Sequence, residues 1–130
     1  MTTIKCFEDL KIWQMSREFC KDVYRITGYE SFAKDYCFRD QIKASSGSIM
    51  DNIAEGFERG GNKEFIQFLS IAKGSCGESR SQLYRALDAQ HISNDEFEML
   101  KEKTIQISKA IGGFINYLKQ TEIKGSKYKS

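Results

Sequence analysis

The residues of this chain best placed to do chemistry are polar side chains at helical spacing. Gln41, Ser45, Ser48, Asn52 and Glu55 follow one another at intervals of four, three, four and three, which puts them on one face of a helix. Further along, Gln67, Ser75, Glu78 and Gln82 lie near a comparable stripe. A buried polar group left without a partner costs about 1–3 kcal/mol. Gln41, Ser48, Asn52, Glu55, Ser75 and Glu78 are therefore expected to form a structural hydrogen-bonding seam that fixes helix register. The same stripe has a second reading, a polar groove that contacts a ligand or RNA.

Nothing in the sequence predicts a catalytic residue, a metal site or a cofactor. Carboxylate di-metal sites in helical bundles use Glu-x-x-His on two helices; this chain has one histidine, His91, and no such motif. Nucleophilic catalysis would need His91 as its base, yet no nucleophile adjoins it in sequence, and it reads as a turn residue. Phosphate-cradling glycine loops are absent. Gly60-Gly61-Asn62-Lys63 is a plain turn on one reading and an anion site at a helix start on the other. Cys6, Cys20, Cys37 and Cys76 are widely spaced, without a C-x-x-C pair. They are expected to be free thiols in a reducing cytoplasm.

Basic residues recur on ridges. Arg17, Lys21 and Arg25 are spaced by four along one helical stretch, Arg39 and Lys43 along another, and Lys73, Arg80 and Arg85 lie on a third. Acidic Glu18, Asp22, Asp40 and Glu78 are interleaved, so these ridges read either as solvated faces or as phosphate-contacting surfaces. In a symmetric oligomer each ridge is multiplied into a ring, and counterion release grows with each phosphate contacted. The net charge is +2. Its surplus lies in residues 119–130, where Lys119, Lys124, Lys127 and Lys129 oppose only Glu122, and the remainder is nearly balanced.

These residues must be positioned by helices. The chain has no proline in 130 residues, which disfavours turn-rich β folds. Apolar residues at three- and four-residue spacing predict helices over 8–27, 34–57 and 63–89. A fourth opens with Ser93-Asn94-Asp95-Glu96, a capping box, and runs to about Leu118. In the first helix, Leu10, Trp13, Cys20, Val23, Tyr24 and Thr27 make one apolar stripe. Ile12, Met15, Phe19 and Ile26 make a second, which points to a covered second face. Gly28 is expected to end that helix in a left-handed cap, and Asn62 to cap the third. The small patches 44–48 and 74–77 are expected to face each other across two helices. Short breaks make neighbours antiparallel. The predicted fold is all-α, an antiparallel up-down-up-down four-helix bundle over residues 1–122 with a flexible basic C-terminal tail over 123–130. No stretch approaches a membrane span, and residues 1–6 lack the apolar core of a signal peptide; a soluble, cytoplasmic protein is expected.

The run Ser48-Ile49-Met50-Asp51-Asn52-Ile53-Ala54-Glu55-Gly56 is followed by 64–75, EFIQFLSIAKGS, and then by Glu78. With the opening Phe7-Glu8-Asp9-Leu10-Lys11-Ile12-Trp13-Gln14, it resembles the bacterial four helix bundle protein family, whose members are encoded in intervening sequences of 23S ribosomal RNA genes. The likeness covers roughly residues 7–118. The resemblance implies a four-helix bundle assembled as a ring, typically a homopentamer. It also implies similarity to the accessory protein of diversity-generating retroelements, which binds RNA and a reverse transcriptase through a positively charged surface. Two departures stand out: Phe32-Ala33 where the family usually has proline before the second helix, and the small, polar Cys76-Gly77-Glu78-Ser79 where it favours leucine. The function expected is non-enzymatic RNA binding by a homo-oligomer through Arg17, Lys21, Arg25, Arg39, Lys43, Lys73, Arg80 and Arg85. The alternative is a scaffold ring that docks a protein partner.

Overall fold

A computed structural model describes the backbone over residues 4–128 and side chains as far as residue 121. All regular structure among these residues is helical. A 3-10 turn (Phe7–Asp9) precedes α1 (Lys11–Ile26), α2 (Glu30–Lys34), α3 (Tyr36–Glu58), α4 (Asn62–Asp88) and α5 (Asn94–Tyr128). α3 packs against α1 and α4, while α5 packs against α4 and α1. The core is one cluster filled by Phe19 and Val23 of α1, Ile42 and Ile49 of α3, Leu69 and Leu83 of α4, and Leu100 and Ile107 of α5. No helix of the described residues is long and apolar enough to cross a membrane. The basic tail expected over 123–130 lies outside the described side chains.

Helix boundaries depart from the sequence expectation where local chemistry intervenes. The first helix begins at residue 11 because Leu10 is extended. The 3-10 turn before it is held by the Phe7–Trp13 edge contact at 5.1 Å and by Gln14 Nε2 donating to the Glu8 carbonyl at 2.8 Å. The core face of α1 is the second apolar set, with Ile12, Phe19 and Ile26 buried together with Val23, whereas Tyr24 is 59% exposed. Thr27 ends the helix in right-handed geometry, its hydroxyl donating to the Val23 carbonyl at 2.7 Å. The left-handed conformation expected at Gly28 occurs instead at Gly60 (φ 85°) and Gln90 (φ 61°).

A fifth helix, α2, occupies the stretch read as a loop. It buries Phe32 completely and stops at Asp35, whose ψ of 72° breaks the run. The Asp35 carbonyl accepts the Arg39 N–H at 2.8 Å and so starts α3. The start of α4 has Gly61 at the N-cap with no side-chain cap, and Asn62 is already helical.

α4 ends in a Schellman motif: the His91 N–H donates to the Ala86 carbonyl and the Gln90 N–H to the Leu87 carbonyl, both at 2.9 Å. At the start of α5, Ser93 Oγ accepts the Glu96 N–H at 3.1 Å. The Glu96 carboxylate leaves the expected box for Arg25 and Tyr29.

Candidate nucleic-acid interface

Most of the basic side chains singled out in the sequence are committed within the fold. On α1, Lys21 pairs with Glu18 at 3.2 Å. Arg25 bridges Glu96 at 2.8 Å and Asp22 at 3.4 Å, and donates to the Tyr29 hydroxyl at 2.7 Å. The Glu96 contact outweighs desolvation and raises the Arg25 pKa, fixing its charge. Arg17 lies over the Trp13 ring at 5.7 Å. On α3, Arg39 pairs with Asp40 at 3.1 Å and donates to the Ala33 carbonyl at 3.1 Å. Lys43 sits over Tyr24 at 4.7 Å. Arg85 of α4 covers Phe38 at 4.3 Å and donates to Gln41 Oε1 at 3.3 Å.

Lys73 and Arg80 behave differently. Neither makes an ion pair among the described residues. Both line an open groove of about 640 Å³ between α4 and α5, joined from α5 by Lys119. Ser70, Ser108 and Asn116 add hydrogen-bonding groups, and among the described residues no acidic side chain lines it. Its floor contains Gly74 and Gly77, where an added Cβ would meet nothing within 4 Å. The expectation that these glycines face the small patch of α3 is therefore corrected: Ser75 turns to α3, and the glycines on either side open the α5 side to solvent. Sequence reasoning had Lys119 only as part of a tail.

The polar stripe joins α3 to α4. Ser48 Oγ lies 2.9 Å from Ser75 Oγ, and Asn52 Nδ2 donates to both the Ser48 carbonyl at 2.8 Å and its hydroxyl at 2.9 Å. Deeper in, Ser45 Oγ donates to Gln82 Oε1 at 2.5 Å and meets Ser79 Oγ at 2.9 Å. Ser45, Ser79 and Gln82 are buried. Ser48, Asn52 and Ser75 are half-buried, while Gln41, Glu55 and Glu78 are exposed. Glu55 turns away to Arg59 at 3.1 Å. The outer edge of the stripe opens as a polar cleft of about 410 Å³ that includes Gln41, Glu78 and Arg85. Ser79 was missed, although its spacing from Ser75 and Gln82 was there to be read.

His91 also has partners that are remote in sequence. Its Nε2 lies 2.9 Å from Asp35 Oδ2 and its Nδ1 2.9 Å from Ser31 Oγ. With Asp35 ionised, Nε2 carries the proton and Nδ1 accepts from Ser31; this tautomer is assigned from the network. The ring stacks on Phe32 at 4.7 Å. The cluster ties the α2–α3 break to the loop after α4. Among the described residues no three His, Cys, Asp or Glu side chains are grouped to hold a metal ion.

These features define a helical protein with polar seams and a basic groove. The profile of the 23S rRNA-intervening sequence protein family matches residues 8–113, and the chain belongs to that family. It is similar in fold to a protein of unknown function from the S23 ribosomal protein family of Bacteroides thetaiotaomicron VPI-5482. That likeness has a TM-score of 0.74 at 24% identity and covers 81% of this chain and 95% of the other. A comparison with curated proteins finds no match.

Proposed function

We propose that this chain is a non-enzymatic RNA-binding protein that works as a homo-oligomer, a ring of five in the cytoplasm, and contacts phosphate rather than base edges. Its bundle domain spans residues 1–122 and runs up-down-up-down. The pairings Ser45–Ser79 and Ser48–Ser75, whose numbers rise on α3 as they fall on α4, support the antiparallel arrangement. The observation that carries RNA binding is the groove that Lys73, Arg80 and Lys119 line together, without an acidic neighbour among its described lining residues. Family membership agrees with that direction. Arg17, Lys21, Arg39, Lys43 and Arg85 form the outer field, and Arg25 contributes least because its charge is already matched by Glu96 and Asp22. The Ser31–His91–Asp35 cluster is a structural clamp in this reading.

The test is anisotropy of a labelled structured RNA at several salt concentrations. Affinity should fall linearly on a log–log salt plot, with a slope that counts phosphate contacts. Flat, salt-independent binding would sink the proposal.

A second reading has its own observation. Ile71, Tyr84, Met99 and Tyr117 are large apolar side chains 44–62% exposed, as a protein-docking scaffold ring would display. That reading predicts a partner whose capture survives nuclease treatment.

A further inference from the structure

We infer that the groove between α4 and α5 holds the sugar–phosphate backbone of single-stranded RNA, an inference that rests on the RNA-binding reading above and names the form of nucleic acid and its seat. The groove's volume of about 640 Å³ falls within the range of ligand sites, roughly 300–1,000 Å³. Its charges are spread out: Lys73 and Arg80 are seven residues apart on α4, about 10 Å along the axis. Successive phosphates of an extended strand match that spacing, one to each cation. Packed helices have axes about 8–10 Å apart, so a channel between two of them is narrower than a duplex. Among the described residues no aromatic side chain lines it, so the platforms that stack bases in other single-strand sites are replaced here by hydrogen-bonding groups, Ser70, Ser108 and Asn116. The occupant is gripped by its backbone, without regard to base sequence.

The glycines make room for it. A Cβ at Gly74 or Gly77 meets nothing within 4 Å, so packing within the subunit does not explain glycine at either position. In a helix interior each costs about 1 kcal/mol relative to alanine. What their lack of side chains provides is an unobstructed floor, along which a strand can lie against the helix between Lys73 and Arg80.

The full-length protein is titrated against a labelled uridine-only strand, a duplex RNA of equal length, and inorganic tripolyphosphate as competitor. Gly77→Leu fills the floor without changing net charge. It should weaken single-strand binding about tenfold or more while circular dichroism holds and the thermal midpoint does not fall. Lys73→Gln and Arg80→Gln should each lower the salt slope by about one. Should Gly77→Leu misfold, Gly74→Leu repeats the block one turn away. If the glycine variants bind as the parent does while the charge variants weaken, the groove is wrong and RNA binding stands. Tighter binding of the duplex, or tripolyphosphate taken as tightly as the strand, overturns the single-strand assignment. No binding of either RNA at low salt overturns both readings.

Discussion

The hydroxyls of Ser45 on α3 and Ser79 on α4 lie 2.9 Å apart in the interior, and the direction of the bond between them is set by a third group. Ser45 has one proton, which points to Gln82 Oε1 at 2.5 Å, so Ser79 is the donor to Ser45. Ser45→Ala strips a partner from both neighbours at once, and each of them is buried. The expected loss is roughly 1–3 kcal/mol, read as a lower urea midpoint at constant m. Ser79→Ala removes one donor and strands only an acceptor, so it should cost less.

Two glycines should respond to alanine with opposite signs. A Cβ on Gly56 would sit 2.6 Å from Phe68 Cβ and 3.0 Å from Phe65 Cδ1. Gly56→Ala therefore forces α3 and α4 apart, and overpacking of this kind costs about 1–3 kcal/mol. Gly74→Ala meets nothing and should stabilise by up to about 1 kcal/mol through helix propensity. Thermal unfolding of the two variants side by side checks the contrast.

Glu96 should make stability depend on acid. Its partial burial favours the neutral form, but donors from Tyr29 and Arg25 outweigh that and hold its pKa below the ordinary 4.5. A depressed carboxyl pKa contributes stability that is fully present above 4.5 and is lost as pH falls through the folded value. Glu96→Gln should lower stability at neutral pH and flatten the acid limb of the curve. A Gln variant whose curve parallels the parent's would remove Glu96 from the account.

The cysteines should differ in reactivity. Burial pushes the Cys76 thiol up to about 11, with nearby Arg80 and Lys73 acting against it. Cys37 is exposed. Because the thiolate is the reactive form, a disulfide reagent at mildly alkaline pH should label Cys37 at once. Cys76 should react only as the protein unfolds, and prompt labelling in the native state would contradict its placement.

His91→Ala removes the partner of Asp35 and Ser31 and the stack on Phe32. We expect a loss of roughly 1–3 kcal/mol. Proton exchange should rise first in the amides of α2, because the clamp holds that short helix to the loop after α4.

The helical class and the core faces of α3 and α5 were legible because their apolar residues, Ile42, Ile49 and Ile53 among them, repeat cleanly at the helical period and are fully buried. The capping serine of α5 was legible for a similar local reason. What escaped is set by contacts between distant residues. The break at Asp35 depends on a carboxylate that turns to His91, 56 positions away, and no window around Asp35 carries that information. The α1 stripe was ambiguous because Tyr24 and Val23 are adjacent apolar side chains, and only the packing partner decides which goes inside. The glycines at 74 and 77 looked like close-packing residues; that they open a groove depends on α5, encoded some thirty positions later. The basic ridges were visible, but the partners that neutralise Arg25 or leave Lys73 available were not.

The two sides of the structure are fastened by different means. α3 and α4 share neutral hydroxyl and amide contacts, while α1 meets α5 through charged pairs, Arg25–Glu96 at 2.8 Å and Lys103–Asp22 at 2.6 Å. Neutral contacts are indifferent to salt; charged ones at a partly solvated edge are weakened by it. The first helix thus has an ionic latch on its α5 edge and an apolar hinge on α3. Strong salt loosens that edge alone, while Phe19, Val23 and Ile26 stay buried in the core, so the ionic surroundings that govern any polyanion at the surface also tune the α1–α5 edge.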